Sequence, residues 1–184
     1  MFQSLLSRVA SGLEQGAIPY MVIGGQAVAL YGEVRLTKDI DITLGVDAGE
    51  LSRVLEIIGT LQMRPAIQEA TEFVRQTNVL PAVDEVSGIR VDFVFSFSPY
   101  ERQAIARSHP VKIHETNVHY ATAEDLIIHK VVAGRPRDIE DVRGILSKSK
   151  TIDLAYVEKW LKSFEDSLRA QFVSTFRILQ KESS

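Results

Sequence analysis

A chain of 184 residues fits one domain, or one domain with a small helical appendage. With 45% hydrophobic and 24% charged residues it has the composition of a globular protein rather than a disordered one. A formal net charge of −3 argues against binding nucleic acid through bulk charge, and the absence of cysteine excludes disulfides, thiolate nucleophiles and Cys-ligated zinc.

In chain order, "MFQSLLSRVASGLEQG" spaces Phe2, Leu5, Leu6, Val9 and Leu13 as one face of a helix ending near Gly16. It lacks the charged leader and long apolar run of a signal peptide, and no stretch approaches a membrane span. A cytoplasmic location without membrane partners is therefore expected. "YMVI" (20–23) reads as a short strand broken by Gly-Gly, and "QAVALYG" as a short helix closed by Gly32. "DIDITL" is a second strand, and Asp47 is placed to cap a helix through about residue 60. "TEFVRQTNVLPAV" shows no clean period, and Pro81 argues against a central strand there. "IRVDFVFSF" (89–97) reads as a strand after an "EVSG" turn, and "HPVKIHETNVHYA" as a pair of short strands.

From Thr122 the pattern turns helical. Thr122 and Asp125 resemble a capping box with Asp in place of Glu, and the helix stops at Gly134. Pro136 suits the first turn of the next helix, "PRDIEDVRGIL". "DLAYVEKWLKSF" and "EDSLRAQFVSTFRIL" complete a helical third, with disorder expected only at the final "KESS". This order predicts an α+β fold, a mixed β-sheet with flanking helices and a helical C-terminal part. The expected division is a core over 1–121 and a helical part over 122–184 that completes the cleft.

Three features bear on chemistry. Gly24 and Gly25 sit between a strand and a helix, where glycine allows close backbone approach to a phosphate; tight turns use the same residues. Asp39 and Asp41 lie two apart on a strand and so share a face. They form either a solvated strand end or a metal site. Ile40, Ile42 and Leu44 would anchor the opposite face in the core, and carboxylates held rigidly beside each other cost stability unless paired or metal-bound. Such a pair suits Mg²⁺, with Mn²⁺ as the other candidate. Asp92 in "RVDFVF" alternates imperfectly with Val91 and Phe93, which leaves its face open; on the same side it would complete a two-metal site.

These stretches resemble a known superfamily. "VIGGQAVALYGEVRLTKDIDI" is similar to the signature of the DNA polymerase β-type nucleotidyltransferases: a hydrophobic strand, Gly-Gly or Gly-Ser, a short helix and Asp-x-Asp. Within it, the "TAEDLIIHKVVAGRPRDIEDVRGIL" segment (122–146) looks like the AbiEii-type toxin nucleotidyltransferases and their small relatives, with lincosamide and aminoglycoside adenylyltransferases as the other branch. The resemblance implies that Gly24 and Gly25 hold the nucleoside triphosphate, with ATP as one candidate. By it, Asp39 and Asp41 ligate Mg²⁺, and Asp92 joins the metal or acts as base on an acceptor hydroxyl. Arg35, Lys130 and Arg135 would reach the phosphates. Asp138 and Asp141 are further candidates, set against a solvated helix face.

The implied reaction moves a nucleoside monophosphate from the triphosphate to a hydroxyl on RNA (a tRNA end, for instance), protein or a small molecule. It extends to a role in a toxin–antitoxin pair with a partner protein. Two alternatives are a nucleotide- or partner-binding module of antitoxin type and an antibiotic adenylyltransferase. His109, His114, His119 and His129 lack zinc-enzyme spacing.

Overall fold

A computed structural model describes residues 1–33, 37–96, 98–149 and 151–183. The elements begin α1 (Phe2–Gln15), β1 (Tyr20–Ile23), α2 (Gly24–Tyr31), β2 (Asp39–Leu44), a 3-10 turn (Ala48–Glu50), α3 (Leu51–Thr60) and β3 (Met63–Pro65). They continue α4 (Ala70–Thr77), β4 (Val79–Asp84), β5 (Arg90–Phe95), α5 (Pro99–Arg107), β6 (His109–Ile113) and β7 (Thr116–Tyr120). Four helices end the chain: α6 (Ala123–Ala133), α7 (Pro136–Lys148), α8 (Leu154–Leu168) and α9 (Phe172–Glu182).

The chain packs as two compact units, Met1–Gln26 with Leu36–Ala121, and Ala27–Arg35 with Thr122–Ser184. The first carries a mixed seven-stranded sheet in the order β3-β4-β5-β2-β1-β7-β6. The β2–β5 and β1–β7 pairs are parallel and the others antiparallel. β2 is therefore the middle strand, flanked on both sides. Its Ile40, Ile42 and Leu44 are at most 1% exposed, and Val91, Phe93 and Phe95 of β5 are buried beside them. Full burial of each such side chain contributes about 1.5–3 kcal/mol. α1 lies against β6, β7 and α3 through a stripe that buries Leu5, Leu6, Val9 and Leu13, as the spacing predicts.

Pro81 lies inside β4, between β3 and β5, against the sequence expectation. Its carbonyl accepts the Ala66 N–H on the β3 side, at 2.8 Å. In a strand the N and C=O of one residue point the same way, so the missing N–H also falls on that side. There the three-residue β3 has already ended, its last registered pair being Pro65 with Ala82. The unperiodic stretch before it is a short helix, α4, closed by Asn78 in the left-handed conformation. Asp47 caps the 3-10 turn that precedes α3 rather than α3 itself.

The second unit packs α6 against α7, α8 and α9, with Leu126, Ile127, Ile128, Val142, Ile145, Leu161 and Phe176 fully buried. Thr122 accepts the Asp125 N–H at 3.2 Å, and the hydroxyl of Thr122 bonds the Asp125 carboxylate at 2.8 Å. Gly134, at φ +63°, ends α6 by donating to the Lys130 carbonyl. α9 continues through Glu182, which accepts two bonds from Arg143, so order extends into the segment expected to be loose. No helix among the described residues is long and apolar enough to cross a membrane.

Candidate active site

The middle of the sheet brings together four charged residues from two strands that are far apart in sequence. β2 and β5 run parallel with Asp39 opposite Arg90 and Asp41 opposite Asp92. Alternation puts the side chains of positions i and i+2 on one face, so the four occupy the corners of a grid: three carboxylates and one guanidinium. The other face is the buried one described above, which holds both strands in place. The alternation at Asp92 that the sequence left open is regular in β5, with Val91, Phe93 and Phe95 inward and Asp92 half-buried. Thr43, next on the acid face of β2, is 2% exposed, and its Oγ1 has no partner among the described residues.

Gly24 and Gly25 open α2 rather than precede it. Ile23, the residue before them, is paired with Asp41 across β1 and β2. Gly24 has φ +65°, and a Cβ built on it would stand 2.8 Å from Cγ of Asp41 and 3.0 Å from its Cβ. Both the backbone conformation and the carboxylate therefore require glycine. The Gly-Gly and Asp-x-Asp signals are parts of one packed structure. Gln26 ties the start of α2 to Thr37 just ahead of β2, Nε2 to Oγ1 at 2.6 Å.

Arg90 donates from Nε to Oδ1 of Asp92 at 2.7 Å, with the arginine side chain 54% exposed and the aspartate 17%. The bond to Asp92 raises the Arg90 guanidinium above its ordinary pKa; partial burial opposes this, and the charges of Asp92, Asp39 and Asp41 add to it. All three carboxylates thus act on one cation. Their oxygens are the donor type that a hard divalent ion takes, placed at adjacent register positions of two strands. Among the described residues no three His, Asp or Glu side chains are grouped to hold a metal as they stand. Asp92 is turned onto Arg90.

The second unit holds a different cluster. Lys130 of α6 is 8% exposed, and its Nζ lies 2.8 Å from Oδ1 of Asp138 and 2.8 Å from Oδ2 of Asp141, both on α7. Asp138 and Asp141 are 8% and 9% exposed, so the solvated-face alternative for them does not hold. They are three apart on a helix, which aims both at the same point. Oδ2 of Asp138 is buried with no hydrogen-bond partner among the described residues, 4.0 Å from Nε of Arg135, whose own side chain is 82% exposed. Arg35 lies outside the described residues. Arg90, which the motif does not name, carries a signal of the same kind as Asp39 and Asp41: its place two residues before Asp92 in a strand puts both on one face.

No curated protein matches the sequence. Solved structures are similar in fold. One is the antibiotic-resistance factor ANT(2'')-Ia in complex with adenylyl-2''-tobramycin, at 18% identity over 91% of this chain and 98% of that one, TM-score 0.60. A second is an antigenic nucleotidyltransferase-like protein from Paracoccidioides brasiliensis, at 16% identity over 95% and 91%, TM-score 0.56. At these identities the likeness is one of fold, and the fold is the nucleotidyltransferase one expected from the sequence. The particular AbiEii-type closeness is not among the findings. A family model matches residues 4–182, nearly the whole chain, and by it this protein belongs to the nucleotidyltransferases of unknown function, DUF6036.

Proposed function

We propose that this protein is an enzyme that transfers a nucleoside monophosphate from a triphosphate to a hydroxyl acceptor, releasing pyrophosphate. The observation that carries it is the register of β2 and β5, which sets Asp41 level with Asp92 and Asp39 one step along, with Gly24 packed on Asp41. Asp39 and Asp41 would hold Mg²⁺ (or Mn²⁺), and Asp92 would join them or accept the proton of the acceptor hydroxyl. The ion, when bound, neutralises charge on the phosphates. Gly24 and Gly25 let the backbone approach the triphosphate without side-chain obstruction.

For Lys130, Arg135 and Arg35 the proposal is triphosphate contact, resting on the motif resemblance. Of these, Arg135 has its side chain exposed, whereas Lys130 is committed to Asp138 and Asp141. The two aspartates would act through Lys130, which both hold.

Incubation with labelled triphosphates, Mg²⁺ and cell lysate tests the proposal. Label should enter one fraction, and none should with D41N. The likeness to ANT(2'')-Ia, solved with adenylyl-2''-tobramycin, makes a small-molecule hydroxyl the first acceptor class to try, ahead of RNA and protein. The AbiEii-type branch, an antitoxin-like partner and a cytoplasmic setting rest on sequence alone. Growth arrest on expression, relieved by D41N, would support the first two.

A second reading is favoured by one observation, the Arg90–Asp92 bond. If Asp92 stays engaged with arginine, the chain would bind nucleotide without transferring it. A melting shift with triphosphate and Mg²⁺, but no transfer to any fraction, would select that reading.

A further inference from the structure

We propose that Arg90 is a two-position residue: it holds Asp92 while no nucleotide is bound, and moves its guanidinium onto the triphosphate as nucleotide enters, releasing Asp92. The inference rests on the functional reading above and adds a residue that the motif does not name.

Arg90 is the cation of the four-cornered grid, opposite Asp39 and two residues from Asp92. On its other flank, β4 sets Val83 opposite it, an apolar neighbour that offers no competing carboxylate. Among the described residues its one hydrogen bond uses Nε, whereas a guanidinium carries five N–H donors. The terminal donors are left for an anion. The two partners also differ in freedom. Both sit on β5, which is paired on both sides, but the short Asp92 side chain is 17% exposed while the longer one of Arg90 is 54% exposed. The arginine is the member that can move.

The direction of exchange follows from charge. An ion pair this exposed is weak, because water screens it and both partners are well solvated when apart. A polyphosphate offers denser charge and the paired oxygens that a guanidinium bonds bidentately. A triphosphate alone would meet three carboxylates and be repelled. Arg90 removes part of that repulsion by leaving Asp92 for the phosphates, and the freed carboxylate then adds to Asp39 and Asp41 as an oxygen donor for the accompanying ion. No covalent bond changes in this step.

The test uses R90Q and R90K in the full chain, after melting curves establish that both fold. Mn²⁺ binding without nucleotide is read by the electron paramagnetic resonance signal of the free ion. Binding of a non-hydrolysable α,β-methylene triphosphate with Mg²⁺ is read by calorimetry. R90Q should bind Mn²⁺ alone roughly two- to fivefold more tightly, because Asp92 is released from an exposed ion pair. The same variant should bind the triphosphate analogue about tenfold more weakly, having lost a charge-assisted donor. R90K should fall between wild type and R90Q on the second measurement. A merely structural arginine would move both affinities the same way. Unchanged or weaker Mn²⁺ binding by R90Q, or undiminished triphosphate binding, overturns the proposal for Arg90 alone. Wild type that binds no triphosphate with Mg²⁺ overturns the functional reading and this inference with it.

Discussion

Each unit of the protein holds a cation among carboxylates, and the two clusters differ in burial. In the sheet unit Arg90 faces Asp39, Asp41 and Asp92 with its side chain 54% exposed. In the helical unit Lys130 and its two aspartates are all less than 10% exposed. Arg90 of the first cluster is open to water, so its bond to Asp92 can be exchanged for a ligand at little cost to the fold. In the second, removing one charge strands the others in a medium that solvates them poorly. On the proposed function the open cluster is the one that binds, while the closed one is tied to the stability of its unit.

The largest expected effect separates the clusters by activity. D39N or D41N should lower nucleotide transfer by about 10³-fold or more, the scale of losing a preorganised charge at a transition state. Its unfolding free energy should change by no more than about 0.5 kcal/mol, as for a surface site. K130M should instead be costly to the helical unit, by about 3–5 kcal/mol, because two buried carboxylates lose their counter-ion. Urea unfolding measures this, and K130M/D138L/D141L should recover most of the loss by removing the stranded charges as well. A K130M protein of wild-type stability would break the comparison.

Two glycines sharpen it. Gly24 and Gly134 have nearly the same φ, +65° and +63°. An added Cβ at Gly24 meets the Asp41 carboxylate, whereas at Gly134 the nearest atom is the Val131 carbonyl oxygen at 3.7 Å. G134A should therefore cost only the backbone strain, about 1 kcal/mol. G24A should cost about 2–3 kcal/mol, and should also depress transfer by displacing Asp41. Equal costs, measured by thermal unfolding, would mean that Asp41 moves aside freely.

The smallest effect concerns a buried charge inside the sheet unit. Asp84 is 1% exposed and accepts from Arg8 and from both the N–H and hydroxyl of Ser87. Burial alone would raise its pKa, but the bonds from Ser87 and the charge of Arg8 outweigh it and hold the carboxyl below its ordinary 3.8. A carboxyl with a depressed folded pKa stabilises the protein above its unfolded pKa, and this contribution is lost as pH falls through the folded value. Urea midpoints from pH 7 downward should decline less below about pH 4 in D84N than in wild type. An identical decline would show that Asp84 is not committed to the fold, and that burial does not govern commitment as it does for Lys130.

Several elements were legible because their causes are local. The stripe of α1, the Thr122 cap, the stop at Gly134 and Pro136 in the first turn of α7 each follow from residues within a few positions of one another. Asp39 and Asp41 sharing a face is likewise a property of one strand. Pro81 misled because its tolerance depends on where β3 ends, fifteen or more residues earlier. The burial of Asp138 and Asp141 was equally hidden, since their helix reads as an ordinary amphipathic one until Lys130 is packed against it.

The sequence by itself therefore determined α1, α2, α3, α6 and α7, the helical character of the last third, the two acid-bearing strands and the superfamily resemblance, but not α4 or α5, since short-range periodicity, capping and turn chemistry encode the former. Only the tertiary structure decided that β2 and β5 run parallel with Asp41 level with Asp92, that Gly24 is packed on Asp41, and that Arg90 is bonded to Asp92. Strand register and the partner of a charge are set by chain segments that meet only on folding, and no local pattern records them.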